Sequence, residues 1–231
     1  MSKPIPVHIY FALDRSGSMA SIANDVIGGF NRFLAEQQEQ DGKCRLTMIQ
    51  FDSQDRNEVL YDGVKIAEAS PLTATTFVPR GGTPLLDAEG WLINKAIERE
   101  QARKADDKTA EAILFVTFTD GEENQSREWT KQGLSAAKAA AEERGWAFTY
   151  LGCGHDAYGQ SRSIGTNAAA VQSFAADGLG VQATYTSLSD STRGMRSRAA
   201  KGIRTTSANL YSETGKGGEA DAKKRGMVTS K

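Results

Sequence analysis

Three oxygen-bearing side chains near the N-terminus, Asp14, Ser16 and Ser18, alternate along the chain. They follow an apolar run from Ile5 to Leu13 that predicts a buried strand, and they precede an amphipathic segment that predicts a helix. Polar residues on such strand-to-helix turns commonly form the sites of open α/β sheets. One carboxylate and two hydroxyls would direct three oxygens into one crevice, and oxygen ligands suit a hard divalent cation such as Mg²⁺.

The Asp-x-Ser-x-Ser spacing is weak evidence by itself. At ordinary residue frequencies, this string occurs by chance in roughly one protein of this length in twenty. Ser16 or Ser18 could equally cap the following helix, and Asp14 could hold the turn. Only further oxygens at the ends of other strands can decide between a cation site and an ordinary turn.

A later loop, Gly81-Gly82-Thr83-Pro84, supplies a third hydroxyl. It precedes a predicted helix that reaches about Arg103, and Pro84 suits the first helical position. Thr83 is interpreted in two ways. It is either the N-cap of that helix, or a hydroxyl that two glycines expose to a ligand above the backbone.

A second carboxylate follows the clearest central strand. The run from Glu111 to Thr119 is continuously apolar in its middle, which is typical of a strand buried on both faces. Asp120 follows at its carboxyl end, so it is expected on the same edge of the sheet as Asp14. The neighbouring Glu122 and Glu123 are interpreted as solvated loop charges.

The remaining patterns alternate between strand and helix, which predicts right-handed crossovers and a mainly parallel sheet. The predicted fold class is therefore a doubly wound, Rossmann-like α/β domain with helices on both faces and one antiparallel edge strand. The segment 57–67 fits either a short edge hairpin or an antiparallel edge strand. Further helices are predicted at about 20–40 and 130–144, and further strands at 44–51, 146–151 and 171–174.

The five oxygen-bearing residues, in this order and context, resemble the pattern of a von Willebrand factor A (vWA) domain with a metal-ion-dependent adhesion site (MIDAS). That pattern is Asp-x-Ser-x-Ser after the first strand, a Thr before a later helix, and an Asp-Gly pair after a further strand. The resemblance covers Pro6 to about Asp156. The matching residues are Asp14-Arg15-Ser16-Gly17-Ser18, Thr83 in Gly81-Gly82-Thr83-Pro84-Leu85, and Asp120-Gly121.

The resemblance implies a site for Mg²⁺ or Mn²⁺. Ser16, Ser18 and Thr83 would bind the ion through neutral hydroxyls, while Asp14 and Asp120 would act largely through bound waters. Such an ion keeps much of its positive charge and one open position. It would favour an Asp or Glu carboxylate from a partner protein, which implies a metal-dependent protein-binding module and not an enzyme.

Three later segments, Tyr150-Leu151-Gly152, Ser163-Ile164-Gly165 and Asn167-Ala168-Ala169, resemble a subgroup of compact vWA proteins of bacteria and their phages. Intracellular vWA proteins of this type often serve AAA-type ATPases or larger assemblies. The expected partner is therefore a protein that presents Asp or Glu, from such an ATPase or a bacterial or phage assembly. One alternative is a magnesium-dependent phosphohydrolase, which would need a second acid where Ser16 stands. A third interpretation is a structural or virion component whose metal only stabilises the loops. Arg15 could attract an acidic ligand, but a solvated turn residue is favoured.

The chain has 231 residues, a length that is enough for one α/β domain with extensions. Its formal net charge is −1. No apolar run approaches membrane-spanning length, and the N-terminus lacks the features of a signal peptide, so an intracellular, cytoplasmic protein without a membrane partner is expected. Cys44 and Cys153 are expected on different strands as separate thiols. His8 and His155 are far apart in sequence, which argues against a zinc site.

The C-terminal third is mildly basic, with 11 Lys and Arg against 6 Asp and Glu from Asp156 onward. A final helix is predicted at about 178–204, with Tyr185 to Ile203 supplying an apolar face and a basic cluster facing solvent. Nucleic-acid binding is not favoured, because no aromatic residues are interleaved with the basic ones. The vWA-like domain is thus predicted to span 1–204, and 205–231 is predicted to be a flexible tail.

Overall fold

A six-stranded sheet forms the centre of the part of the chain that this computed structural model describes, residues 3–154 and 156–227. In chain order its strands are β1 (Val7–Asp14), β2 (Cys44–Phe51), β3 (Glu58–Lys65), β4 (Ala112–Thr119), β5 (Ala147–Cys153) and β6 (Val171–Phe174). Across the sheet they lie in the order β3-β2-β1-β4-β5-β6. All neighbours are parallel except the antiparallel pair β2 and β3. The predicted fold class is confirmed.

Helices cover both faces of the sheet. They are α1 (Ala23–Gln38), α2 (Leu85–Ala105), α3 (Lys131–Glu143), α4 (Ala157–Ser163), α5 (Gly178–Ala200) and α6 (Gly217–Lys224). Apolar residues of α1 and α5 share one core with the sheet, and those of α2, α3 and α4 share the other. Successive residues of β1 enter opposite cores, since strand side chains alternate. Phe11 packs against Phe30 of α1 at a centroid distance of 5.5 Å, whereas Tyr10 lies in the core that contains Leu92 of α2.

The two middle strands, β1 and β4, position the candidate site. Every residue of both is buried, as expected for strands covered on both faces. From β1 the chain crosses to β2 on one side, while β4 lies on the other side, so the strand order reverses between them. Open α/β sheets bind ligands in the crevice at the carboxyl ends of strands where such a reversal occurs.

The edge segment 57–67 is one antiparallel strand and not a hairpin. β3 pairs with β2 from Glu58 to Lys65, and the register shifts twice along β2, between Leu46 and Met48 and again between Met48 and Ile49. On the β3 side, the first of these shifts lies between the partners Val64 and Tyr61. The Asp62-Gly63 pair, which resembles a turn signal, lies at this irregularity, with Gly63 at φ +64°. An Asp-Gly pair can thus accommodate a bulge within a strand as well as a turn between strands.

The segment after α5 differs from the predicted flexible tail. Leu210, Tyr211 and Ala222 are buried, and the Tyr211 hydroxyl lies 2.9 Å from the Thr149 hydroxyl of β5. Gly218 approaches Thr184 of α5 so closely that a Cβ at this position would meet its hydroxyl. The segment has a low overall hydrophobicity, but these few buried apolar residues are enough to pack it against the β5–β6 side of the sheet. Residues 228–231 of the predicted tail lie outside the described residues, as does His155.

The predicted basic face, formed by Arg193, Arg196, Lys201 and Arg204, is corrected at Arg196, whereas Arg193 and Lys201 are exposed as predicted. Arg196 is buried, with 6% of its surface exposed, and it donates to the backbone carbonyls of Gln37 and Gln40 at the end of α1. It therefore adds donors to carbonyls at the C-terminal end of α1, where helix carbonyls lack intrahelical partners. The helix ends at Ala200, and Ile203, predicted on the packed face, is 52% exposed.

Cys44 and Cys153 lie on β2 and β5 as free cysteines, as predicted. Burial raises the pKa of each thiol to about 11, so both are protonated at neutral pH. In the described ranges, no helix combines the length and the hydrophobicity needed to cross a bilayer.

Candidate metal centre

Asp14, the last residue of β1, forms the base of the candidate site. It is fully buried, and both of its carboxylate oxygens accept hydrogen bonds from uncharged donors. The Ser16 backbone N–H donates to Oδ1 at 2.7 Å, and the Thr119 hydroxyl at the end of β4 donates to Oδ2 at 2.5 Å. The adjacent strands β1 and β4 therefore jointly orient this carboxylate.

The Asp14 carboxylate lacks a counter-ion among the residues that the structure describes. No Lys, Arg or His within the described ranges forms an ion pair with it. Burial raises the pKa of Asp14 to about 6, although hydrogen bonds from Thr119 and Ser16 oppose the rise. The nearby Asp120 carboxylate raises this pKa further. A buried carboxylate without a cationic partner is costly, so this environment fits a bound cation.

The two serines link Asp14 to Asp120. The Ser16 and Ser18 hydroxyls lie 3.0 Å apart, and the Ser18 hydroxyl donates to Asp120 Oδ1 at 2.7 Å. Burial also raises the pKa of Asp120, and the hydrogen bond from Ser18 opposes that rise. Two carboxylates are thus connected by hydroxyls, with no basic side chain between them.

Thr83 completes the cluster through the space above Gly121. A Cβ atom built on Gly121 would lie 3.0 Å from Thr83 Oγ1, 3.5 Å from Ser18 Oγ and 3.7 Å from Asp14 Oδ2. Side chains of the first two loops therefore surround a point above the third loop, and Gly121 leaves this point free of a Cβ atom. Thr83 is buried, and it does not cap α2, because Pro84 takes the N-cap position without a side-chain cap.

Hydrogen bonds between loops hold this arrangement. The Gly17 N–H donates to the Gly81 carbonyl at 3.0 Å, which ties the first loop to the second. The Thr83 N–H donates to Asn124 Oδ1 at 2.9 Å, and the Asn124 N–H donates back to the Thr83 carbonyl at 3.1 Å. Each of the three loops is therefore fixed by another one.

Glu123 is not a solvated loop charge. Its carboxylate accepts from the Leu86 N–H at 3.0 Å in the first turn of α2, and from the Ser126 N–H at 2.7 Å. A carboxylate at a helix N-terminus satisfies free N–H groups and the helix dipole. Glu122, by contrast, is exposed as predicted.

Arg15 is not a solvated turn residue either. Only 4% of it is exposed, and its guanidinium pairs with Asp52 at 2.6 Å and with Glu58. Asp52 follows β2, so this ion pair connects the Asp-x-Ser-x-Ser loop to the end of the neighbouring strand. The charge of Arg15 is used inside the protein and does not face a ligand.

Two residues that position the cluster escaped the sequence analysis, Thr119 and Asn124. Thr119 immediately precedes Asp120, and its position at the strand end was the available signal. No local pattern marked Asn124, because its partner Thr83 is 41 positions away.

The described residues contain no group of three or more His, Cys, Asp or Glu side chains placed to hold a metal. A cation at this edge would therefore depend on the hydroxyls of Ser16, Ser18 and Thr83 together with two carboxylates. Such an all-oxygen, hydroxyl-rich set is suited to Mg²⁺ or Mn²⁺ and unsuited to softer metals.

Comparison with family models and with curated proteins found no match. Among solved structures, a von Willebrand factor type A structure from Catenulispora acidiphila matches with a TM-score of 0.52 and 14% identity, over 85% of this chain and 43% of that one. The SpRpn10 VWA domain matches with a TM-score of 0.50 and 10% identity, over 87% of this chain and 100% of that one. The chain has a vWA-like fold.

A third structure with this fold similarity is the manganese-loaded Plasmodium vivax TRAP protein. It matches with a TM-score of 0.51 and 16% identity, over 74% of this chain and 68% of that one. This chain spans 31% to 47% of the length of several longer structures that it matches. Within the vWA fold, the candidate cluster lies where the strand order reverses, at the carboxyl ends of β1 and β4.

Proposed function

We propose that this protein is a metal-dependent protein-binding module whose vWA-like fold carries a MIDAS. The observation that carries the proposal is a cluster of five oxygen-bearing side chains, of which Thr83, Ser18 and Asp14 lie around the space beside Gly121 while Ser16 and Asp120 contact Ser18. These side chains come from three loops, and one of them, Asp14, is a buried carboxylate that forms no ion pair with any described residue. The five are Asp14, Ser16, Ser18, Thr83 and Asp120.

In this proposal Ser16, Ser18 and Thr83 would hold Mg²⁺ or Mn²⁺ through their hydroxyls, and Asp14 and Asp120 would act largely through water. The ion would supply an electrophilic position for an Asp or Glu side chain of a partner protein. Thr119 and the Ser16 N–H orient Asp14, and Ser18 orients Asp120. The structural similarity to a manganese-loaded protein supports the choice of metal.

We also propose that the site binds and does not catalyse. A phosphohydrolase of the magnesium-dependent class would need its proton-transferring acid two residues after Asp14, and that position is Ser16, whose hydroxyl contacts Ser18. The proposed setting is the cytoplasm of a bacterial cell or a phage assembly, with an AAA-type ATPase or a larger complex as partner.

The metal-binding step is tested by thermal unfolding of the wild type and of Asp14→Ala, with chelator and with added MgCl2 or MnCl2. A bound ion stabilises the folded chain by mass action, by about 2.7 kcal/mol at a hundredfold excess over Kd. The wild type is expected to gain Tm with either metal, and Asp14→Ala is expected to gain none. Asp25→Ala, which removes an exposed carboxylate on α1, is the matched control and should respond like the wild type.

The partner-binding step is tested by a pull-down with Mg²⁺ or with chelator, followed by mass spectrometry. A partner that is lost with chelator and with Asp14→Ala supports the proposal. An equal metal-induced rise in Tm for Asp14→Ala, or capture that persists under both perturbations, would refute it.

A further inference from the structure

We propose that the partner is recognised through two acidic side chains, one at the metal and a second at the guanidinium of Arg80. This inference rests on the metal-dependent function proposed above and names the chemistry of the partner that the same site would select. It commits to Asp or Glu side chains at both positions.

Arg80 lies at the rim of the cluster. Its backbone N–H donates to the Arg15 carbonyl at 2.8 Å, within the Asp-x-Ser-x-Ser loop. The next residue, Gly81, accepts a hydrogen bond from Gly17 of that loop at 3.0 Å, and Thr83 follows two residues later. Arg80 is therefore fixed between two of the three loops that surround the candidate metal position.

The guanidinium of Arg80 is oriented but keeps free donors. Its Nε donates to Asp52 Oδ2 at 3.0 Å, while 41% of the side chain is exposed. Its Nη1 and Nη2 groups donate to no residue in the described ranges. Asp52 thus holds the group in place at one edge, and the outer edge retains N–H donors for a second carboxylate.

The neighbouring Arg15 cannot take this role. It shares Asp52 with Arg80, pairs also with Glu58, and is almost fully buried. Arg15 therefore binds both acids of this cluster from the inside. Arg80 presents its guanidinium at the surface on the β2 side of the site, close to Glu58 and to the exposed Asp55.

The opposite side of the site carries exposed acids. Glu122, two residues after Asp120, is exposed, and Asp156 is exposed at the end of the next strand-to-helix loop. A second acid on that side would meet repulsion, whereas on the β2 side it would meet Arg80. The charge distribution therefore defines the direction in which a partner segment crosses the metal.

The test uses the full chain and a phage-displayed library of random peptides, panned in Mg²⁺ and eluted with chelator. Wild type, Arg80→Gln, Arg80→Lys and Asp14→Ala are compared. Arg32→Gln is the matched control, since Arg32 is similarly exposed (53%) and paired with one acid, Glu36, away from the site. Wild type and Arg32→Gln are expected to enrich peptides with two acidic residues close together. Arg80→Gln is expected to enrich peptides with a single acid.

Selected peptides are then synthesised with amidated C-termini, so that side chains supply every carboxylate. A two-acid peptide is expected to bind Arg80→Gln about tenfold more weakly than the wild type, in line with the loss of a charge-assisted hydrogen bond. Arg80→Lys keeps the positive charge but not the bidentate donor geometry of the guanidinium, so its affinity for the two-acid peptide should lie between those of the wild type and Arg80→Gln. The single-acid variant of the peptide should bind all three equally.

The outcomes separate this inference from the function on which it rests. If Arg80→Gln selects two-acid peptides and binds them as the wild type does, the role of Arg80 is wrong while the metal-dependent function stands. If the wild type yields no chelator-eluted peptides, or Asp14→Ala yields the same ones, both proposals fail.

Discussion

The decisive residues of the candidate site are those that leave a charge unsatisfied or a space unfilled. Asp14 accepts two hydrogen bonds from neutral donors, yet its burial and the nearby Asp120 raise its pKa to about 6. A cation would remove this cost, and Gly121 keeps the space beside Thr83 and Ser18 free of a Cβ atom. The candidate site therefore depends on the missing Cβ of Gly121 as well as on the oxygens around it.

Gly121→Ala is expected to abolish the metal-induced rise in Tm while the fold is retained. The added methyl would lie 3.0 Å from Thr83 Oγ1 and would occupy the point on which the hydroxyls converge. The change is measured by thermal unfolding with and without Mg²⁺, with circular dichroism as a check on folding. Gly28→Ala, on α1 with no atom within 4 Å of the added carbon, is the control. It should keep the metal response and stabilise the helix by about 0.5–1 kcal/mol. A wild-type metal response in Gly121→Ala would contradict the assignment.

The elements distribute two kinds of polar cluster to the two ends of β1 and β4. The carboxyl ends carry the unpaired acids of the candidate site. At the amino ends, Glu111 is paired with Arg99 at 2.8 Å and with His8 at 3.2 Å, and the other ring nitrogen of His8 lies 2.9 Å from the Thr47 hydroxyl. Burial lowers the pKa of His8, so the neutral ring donates to Glu111 and accepts from Thr47. This end is satisfied internally and has a structural role.

Glu111→Gln is expected to flatten the loss of stability in acid. Burial alone would raise the pKa of Glu111, but hydrogen bonds from His8 and Arg99 outweigh it and lower the pKa to about 2, from an ordinary 4.5. The unfolded chain therefore binds this proton first. The stabilisation is complete above about pH 4.5 and is lost as the pH falls toward 2, and it amounts to at most about 3 kcal/mol.

The measurement for Glu111→Gln is the free energy of unfolding in urea between pH 7 and pH 2.5. The variant should be less stable than the wild type at pH 7, and the gap should shrink as the pH falls. Glu98→Gln, which removes an exposed glutamate of α2, is the control and should follow the wild type. Parallel profiles for wild type and Glu111→Gln would contradict the role assigned to this pair.

At the scale of the whole molecule, the C-terminal segment covers one edge of the sheet. The sheet has β6 at one edge, and residues 205–227 pack beside it instead of extending into solvent. Tyr211 is 5% exposed, and its hydroxyl meets Thr149 of β5. Arg225 in turn pairs with Asp177 at the N-cap of α5. The segment is therefore an integral layer of the fold.

Tyr211→Ala is expected to destabilise the protein by about 3–5 kcal/mol, because it empties a buried aromatic position. Tyr211→Phe keeps the ring and should lose only about 1 kcal/mol with the hydrogen bond to Thr149. Urea unfolding at pH 7 measures both. Equal stability of wild type and Tyr211→Ala would show that the segment is loosely attached, as the sequence had suggested.

The sequence by itself determined the fold class and the chain order of the candidate site residues. The middle strands β1 and β4 were predictable because burial on both faces demands a continuous apolar run, which is a local property. The Asp14, Ser16 and Ser18 turn and the Asp120-Gly121 pair were predictable because each follows such a run directly. Their role as metal ligands stays a prediction.

Only the tertiary structure decided which polar groups are already satisfied. Arg15 donates a hydrogen bond to Asp52, which is 37 positions away in the sequence. Asp14 accepts one from Thr119, which is 105 positions away. Glu123 caps a helix that begins well before it in the chain. Such partners meet because the strand order around β1 and β4 brings their loops to the same edge of the sheet. No local sequence pattern predicts these contacts. The availability of Arg80 and the burial of Arg15, both arginines beside the same aspartate, follow from this long-range geometry alone.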